Sequence, residues 1–417
     1  MLKTQRYNLT QGEVLLIKGP SAIKAKSKGL SVLGIPVKPG EKVVIRKNKV
    51  LPFDVESIVQ VILILGKGSR SYISSEKVGI RIWNHVKETI LNDISSSKKK
   101  LMIIGETDSG KSTLATYLIN MALQKDMKVC IVDGDIGQGD LAPPGCIGAA
   151  MIERYVYDLR DVNPDLFEFL GYISPRFIRD IVIEKIKKII SNVEEKNWNL
   201  CIINTDGYIA NEGMDYKLEM VERINPNMIV CFKDVDKMLF KRLRDDVGHP
   251  LVISADKPDS VTKTSYERSG RRLNQYLRFL KGGRDLNVNL NKVKLNFMGD
   301  VYRHNLSNSE LREVAQNFSS KMLGAKRADE KLIIFKYGSE DMIEMFGRYV
   351  IFNLSSLKRM FVGLGSDDDL LGFAQIKRIR SDLITLNTPL KSDFDTIFLS
   401  TIKVQNLSEV ILPIVKS

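Results

Sequence analysis

The chain has 417 residues, a hydrophobic share of 43% and a formal net charge of +13. That length predicts two or three domains, and that composition excludes a disordered or fibrous chain. The longest apolar candidate, Val59–Leu65, is strand-sized and far short of the ~20 residues a bilayer needs, and no apolar signal region follows the first six residues, so the expectation is a soluble cytoplasmic protein with no membrane partner.

The basic surplus favours a polyanionic partner, a statement about association and not about fold. Four cysteines occur, at 130, 146, 201 and 231, with no CxxC or Cys/His spacing that would suggest zinc or a redox pair. Reduced structural thiols are expected.

Residues 7–75 read as all-β. Short alternating runs at 14–17, 42–45 and 59–65 are separated by turn signals such as Lys18-Gly19-Pro20 and Lys38-Pro39-Gly40-Glu41. Gly66-Lys67-Gly68-Ser69 is glycine-rich but lacks a full phosphate-binding pattern, so a loop between strands is expected there. Residues 78–95 carry helical spacing through Val78, Ile80, Ile82, Val86, Ile90 and Leu91, followed by a basic link at 95–100.

From 101 to 284 strand-like runs (101–104, 129–132, 200–203, 228–232, 251–254) alternate with helical ones (113–124, 179–193, 216–224). That alternation predicts an α/β domain with a mostly parallel sheet, whose ligands bind beyond the carboxyl ends of the strands. From 285 onward β patterns return, with one helical insertion over 310–323. The expected architecture is therefore a central P-loop NTPase domain (96–284) between mainly-β domains at 1–95 and 285–417.

Gly105-Glu106-Thr107-Asp108-Ser109-Gly110-Lys111-Ser112, followed by Thr113, is a complete GxxxxGK[ST] loop between an apolar strand and a helical run. Its backbone N–H groups and the helix N-terminus converge on one point and suit an anion. Lys111 reaches the β- and γ-phosphates of a nucleoside triphosphate, and Ser112 ligates Mg²⁺.

The next strand ends in Asp133-Gly134-Asp135-Ile136-Gly137-Gln138. Two carboxylates two residues apart beside such a loop suit one metal contact and one proton acceptor; the bland alternative is that one of them caps a turn. Gly139–Gly145 reads as a rigid structural turn. Asn204-Thr205-Asp206-Gly207 ends a later strand, and its side chains offer polar groups toward the same crevice, although such a sequence is also an ordinary turn.

Residues 261–284 carry Lys263, Arg268, Arg271, Arg272, Arg278, Lys281 and Arg284 against one acid, Glu267. Arg268, Arg271 and Arg272 share helical spacing and one face. That face suits a lid over a transferring phosphoryl group, the alternative being a solvated basic helix.

Taken together these stretches resemble the polynucleotide 5′-hydroxyl kinases of RNA processing, and most of all an archaeal member. The matching runs are GETDSGKST (105–113), DGDIGQGDLAPPG (133–145), GYISP (171–175), INTDGYIANEG (203–213), ERSGRRLNQYL (267–277), FVGLGSDDDLLGFAQI (361–376) and ITLNTP (384–389). The resemblance implies ATP and Mg²⁺ at Lys111 and Ser112, with Asp135 as general base on the 5′-hydroxyl of RNA, or of DNA as a second acceptor. It implies Asp133 and Gln138 in metal, water or substrate placement, Thr205 as a clasp on the acceptor, and Arg268 and Arg272 as lid arginines with Arg271 beside the substrate. It also implies protein partners in RNA processing.

Two positions depart from the family pattern: Glu106 stands where proline is common, and Tyr208 where tryptophan is common. Two rival readings stay open. One is an ATP-clamped scaffold without turnover. The other is a GTPase, because Asp256-Lys257-Pro258-Asp259 superficially resembles a guanine-reading NKxD motif.

Overall fold

The computed structural model describes residues 3–74, 79–94, 98–233, 235, 237–245, 250–258, 263–317, 322–380, 383–405 and 408–416. Val78, Ser95, Ser96, Ser97, Asp259 and Val261, which the sequence reading used, lie outside them. The chain forms two compact units. The first comprises Met1–Asp135, Gly148–Leu166 and Ile186–Glu267, and the second Ile136–Ile147, Phe167–Lys185 and Arg268–Ser417.

The first unit opens with nine strands: β1 (Lys3–Leu9), β2 (Val14–Lys18), β3 (Ser21–Ala25), β4 (Leu30–Val32), β5 (Ile35–Pro36), β6 (Lys42–Ile45), β7 (Val50–Val55), β8 (Val59–Leu65) and β9 (Arg70–Ser74). They make one sheet in the order β1-β8-β3-β6 and another in the order β5-β4-β7-β2-β9. Alternation dictates what is buried: Val59, Val61, Leu63 and Leu65 of β8 point inward while Gln60 points out. They join Leu15, Ile17, Ile23, Val43 and Phe53 in one core. Gly66–Ser69 is the expected inter-strand turn, closed by Ser69 N–H to Gly66 O at 3.1 Å.

Helix α1 (Asn84–Asp93) leads to the nucleotide-type sheet. Its elements in chain order are β10 (Lys99–Ile104), α2 (Lys111–Leu123), β11 (Val129–Gly134), β12 (Cys146–Ile152), β13 (Leu166–Phe169), α3 (Arg179–Glu194), β14 (Leu200–Thr205), α4 (Gly213–Ile224), β15 (Met228–Phe232), α5 (Lys237–Asp245) and β16 (Leu251–Ala255). Strands run β12-β11-β14-β10-β15-β16. All neighbours from β11 to β16 are parallel, and β12 is antiparallel to β11. β10, β11, β14 and β15 are buried runs without alternation, as a sheet covered on both faces requires. The sequence reading missed β12, whose Gly148-Ala149-Ala150 centre carries little strand propensity. All four cysteines are buried, and none is in a disulfide.

The basic helix α6 (Ser265–Leu280) crosses the boundary between the units. The second unit continues with β17 (Arg284–Asn289), β18 (Lys294–Phe297), β19 (Asp300–Tyr302), β20 (His304–Asn305), α7 (Asn308–Asn317), β21 (Met322–Ala328), β22 (Lys331–Lys336), β23 (Ile343–Phe346), β24 (Tyr349–Asn353), α8 (Leu354–Leu357), β25 (Phe361–Ser366), β26 (Asp369–Arg380), β27 (Leu383–Thr388), β28 (Thr396–Phe398), β29 (Ile402–Val404), β30 (Glu409–Ile411) and β31 (Ile414–Lys416). Its sheets run β17-β27-β26-β25-β28-β18-β19 and β20-β21-β22-β24-β23-β31.

Two expected elements differ. The strand read over 288–298 is broken because the Asn289 side chain accepts the Asn291 N–H at 2.8 Å and starts a 3₁₀ turn. The helix read over 310–323 ends earlier, because Met322 already pairs with Lys336 in the β21–β22 ladder.

In the first unit, Asp54 of β7 is 3% exposed. Burial pushes its carboxyl up to about 6, opposed by Arg81 at 3.9 Å. An unfolded aspartate titrates near ~3.9, so between about 4 and 6 the native state keeps a proton that the unfolded state has released. Stability therefore falls as pH rises through that window, and the cost is complete above it. Asp54→Asn should raise stability at pH 7 by about 1–3 kcal/mol and leave it unchanged at pH 4. Urea unfolding of both proteins at the two pH values checks this; an equal difference at both pH values rules it out.

Candidate active site

The loop between β10 and α2 is forced into its shape by three positions. Gly110 sits at φ +107° and Asp108 at φ +62°. A Cβ on Gly105 would lie 2.6 Å from Ser109 Oγ and 2.9 Å from Phe232 Cδ2, so only glycine fits. Gly110 caps α2 without a side-chain hydrogen bond, which leaves first-turn N–H groups for an anion. The Lys111 side chain is buried and donates to Gly105 O at 2.8 Å and Glu106 O at 2.6 Å. The Glu106 side chain is exposed, as is Thr107. Asp108 accepts from Lys263, through its N–H at 3.1 Å and its ammonium at 2.5 Å.

Parallel register then assembles the polar cluster. Asn204 of β14 lies level with Ile103 of β10 and with Asp133 of β11. Its Nδ2 donates to Asp133 Oδ1 at 2.9 Å and reaches Ser112 Oγ at 3.3 Å. One amide thus ties the loop serine to the strand-end carboxylate, and its own Oδ1 is buried with no hydrogen-bond partner. Asp133 is itself buried, while Asp135, just past β11, is half-buried.

This donor set fits Mg²⁺ as a hard cation taking oxygen ligands. Among the described residues no group of three or more His, Cys, Asp or Glu could hold a metal alone. A magnesium ion here would draw on Ser112, Asp133, phosphate oxygens and water.

Thr205, expected to clasp the acceptor, is fully buried, and its hydroxyl donates to Ile103 O at 2.8 Å. It stitches β14 to β10, and Asn204 beside it is the residue facing Ser112 and Asp133. Gly207 follows, and a Cβ there would lie 2.4 Å from Thr107 Oγ1 and 2.5 Å from Thr107 N. The strand end and the phosphate loop are in direct backbone contact. Asp256 accepts from Lys233 at 2.7 Å.

The start of α6 is fixed by a capping box that sequence spacing could have revealed, Thr264-x-x-Glu267. The Glu267 N–H donates to Thr264 Oγ1 at 3.2 Å, and the Thr264 N–H donates to Glu267 Oε2 at 3.0 Å. Lys18 pairs with the same carboxylate and holds it below its usual range. In the second unit, Arg271 is buried against Asp140, and Gln275 donates to Asp140 O at 2.7 Å. The run 139–145, read as a plain turn, is therefore the seat of α6. Arg272 pairs with Glu409. Arg268 and Gln138 are half-buried.

Residues 105–282 match the model of the mRNA cleavage and polyadenylation factor CLP1 P-loop. That stretch of the chain is similar to the CLP1 P-loop. It contains every site residue singled out from sequence, from Gly105 to Arg272. A polyribonucleotide 5′-hydroxyl-kinase of Pyrococcus horikoshii is 26% identical over 65% of this chain and 75% of its own length. Another, from Methanocaldococcus jannaschii, is 24% identical over 73% of this chain and 86% of its own length. A chain from the Clp1p–Pcf11p complex shares the fold at a TM-score of 0.70 and 12% identity, with 99% of both chains covered. Among the described residues no helix is long and apolar enough to cross a membrane.

Gly207→Ala should force the CLP1-type phosphate loop off the end of β14. Overpacking of this kind costs about 1–3 kcal/mol, which corresponds to roughly 10–100-fold weaker nucleotide binding when the loop absorbs it. Calorimetric titration with Mg-nucleotide measures this, and unchanged affinity would show that the contact does not shape the loop.

Proposed function

We propose that the chain transfers the γ-phosphate of ATP to the 5′-hydroxyl end of RNA, with DNA as a second acceptor, in cytoplasmic RNA processing or repair alongside protein partners. The observation that carries this reading is the gathering of Ser112, next to Lys111 in the loop, and Asp133 about Asn204, with Asp135 two residues further along the chain. A nucleotide clamp alone has no use for the second carboxylate. The archaeal relatives named as polyribonucleotide 5′-hydroxyl-kinases support the acceptor.

In this reading the loop N–H groups and Lys111 bind the triphosphate. Lys111 leaves the Gly105 and Glu106 carbonyls to follow the charge on the β–γ bridge. Ser112 and Asp133 would hold Mg²⁺, whose chemistry is to neutralise charge on the phosphate oxygens. Asp135 takes the proton of the 5′-hydroxyl as its oxygen bonds to the γ-phosphorus. The bond to the β-bridging oxygen breaks, and ADP leaves. Gln138 and Arg271 are assigned to substrate placement, Thr205 supports the acceptor side through β14, and Arg268 and Arg272 are assigned to the charge in flight. Most of the rate then comes from alignment and electrostatics.

The test is incubation with γ-labelled ATP, Mg²⁺ and matched 5′-hydroxyl RNA and DNA oligomers. Label should appear at the 5′ end and vanish with Lys111→Ala. Nucleotide binding without labelling of any oligomer would favour the scaffold reading.

Asp135→Asn should keep ATP affinity and slow transfer by about 10²–10⁴-fold, the range for loss of a general base. Single-turnover transfer rates check it; an undiminished rate removes Asp135 from that role.

A further inference from the structure

One edge of the second unit's seven-stranded sheet carries a basic face that the proposed chemistry does not use. β17 is the edge strand, β27 lies beside it, and β26 comes third. The β26–β27 register shifts between Ile376 and Arg378. Ile376 lies level with Leu386, whereas Arg378, Ile379 and Arg380 lie level with Thr385, Ile384 and Leu383. Lys377 is the extra residue of this bulge. In an unbroken register Lys377 and Ile379 would share the face of Thr385 and Leu383, and Arg378 would stand beside Ile384. The bulge instead sends Ile379 to the side of the buried Ile384 and both arginines to the opposite face.

Rows across the three strands build that face. Asn287, Thr385 and Arg378 form one, and Asn289, Leu383 and Arg380 the next. Asn287, Lys377, Arg378 and Arg380 are exposed. The Thr385 hydroxyl donates to Asn287 Oδ1 at 2.8 Å, which leaves the Asn287 Nδ2 hydrogens for another acceptor. Arg378 and Arg380 are two residues apart and so roughly 6–7 Å apart along the strand. Among the described residues no carboxylate pairs with either of them. The acid in the neighbouring row, Asp285, already accepts from Asn387 Nδ2 at 2.8 Å.

Two ordinary reasons for such charges do not cover these. Charge on an edge strand guards it against pairing with another sheet. These arginines lie on the third strand, while the edge strand turns Asn287 and Asn289 to this face. A structural ion pair is the other reason, as for Arg272 and Glu409, and no described acid supplies one here. Guanidinium, hydroxyl and amide donors in rows suit a chain of anions. Arginine, threonine and asparagine are among the side chains that hold phosphate and sugar oxygens, and such contacts fix position without reading sequence.

We propose that the face built by β17, β27 and the end of β26 docks the sugar–phosphate backbone of single-stranded RNA, downstream of the 5′ end that receives the phosphate. This deepens the kinase reading and takes the identity of the polyanion from it. Because backbone charge is what is recognised, acceptor length counts and base sequence does not.

The experiment compares the full wild-type chain with Arg378→Gln/Arg380→Gln in two parts. Binding of a labelled 5′-hydroxyl RNA of about 20 nucleotides, longer than a typical single-strand site, is titrated without ATP at several salt concentrations. Loss of two phosphate contacts at ~0.7 each should flatten the slope of log affinity against log salt by about 1.4. Steady-state phosphorylation then compares that oligomer with a 5′-hydroxyl dinucleotide. KM for the long oligomer should rise, while kcat, KM for ATP and the dinucleotide's kcat/KM stay at wild-type values. Asn287→Asp adds an acid to the same row. It should weaken long-RNA binding in the same way, and it decides the matter if the double variant does not fold.

An unchanged salt slope with unchanged KM for the long oligomer would overturn the inference and leave the face to an acidic protein. So would a loss shared equally by the dinucleotide. A wild-type protein that labels no 5′-hydroxyl end would bring down the kinase reading instead, and the docking face would then stand or fall on the salt slope.

Discussion

The registration of three parallel strands is the constraint on which the site depends. Ile103, Asp133 and Asn204 lie level across β10, β11 and β14. Because side chains alternate along a strand, a slip of one residue would turn Asn204 away from Asp133 and break its reach to Ser112. That register is held by strands buried on both faces, where Leu101, Ile131 and Ile202 have no solvent alternative. Hydrophobic burial thus does positional work: it sets where a serine hydroxyl, an amide and a carboxylate meet. Thr205 and Gly207 extend the same logic past the strand end. One stitches β14 to the Ile103 carbonyl, and the other lets Thr107 approach its backbone.

Much of this was legible in the sequence. The phosphate loop was, because its glycines and its lysine each answer a local steric or electrostatic demand. The parallel sheet was, because unbroken apolar runs between helical spacings admit few other folds. The paired carboxylates Asp133 and Asp135 were, because their position after a strand puts them at its carboxyl end. What escaped depended on partners distant in the chain. Thr205 and Asn204 are adjacent, and only the register decides which of them faces Ser112. Arg271 and Asp140 are 131 residues apart, so nothing local marked the run 139–145 as the seat of a helix. The capping box at Thr264 and Glu267 was readable, yet the surrounding arginines drew the attention instead.

Helix α6 illustrates how a charge-rich segment is built. Its arginines share a face by spacing, but they do not share a fate. Arg271 is buried against Asp140, and Arg272 is paired with Glu409, whereas Arg268 stays half-buried. An arginine already held by a buried carboxylate is expensive to release, because the acid left behind would be uncompensated. Arg271 is therefore committed to holding the run 139–145 in place. The net charge of +13 conveys none of this, since a sum over the chain cannot separate structural ion pairs from groups offered to a polyanion.

The cluster about the buried Lys217 of α4 follows from the same cost argument with the opposite sign. Burying Lys217 gains little over a methionine in stability, so its presence asks for a reason outside stability. Asp206 supplies part of one, since its two carboxylate oxygens organise Tyr208, Tyr216 and Lys217. Yet an asparagine could accept the Tyr208 N–H and donate to the Tyr216 hydroxyl oxygen without any buried charge.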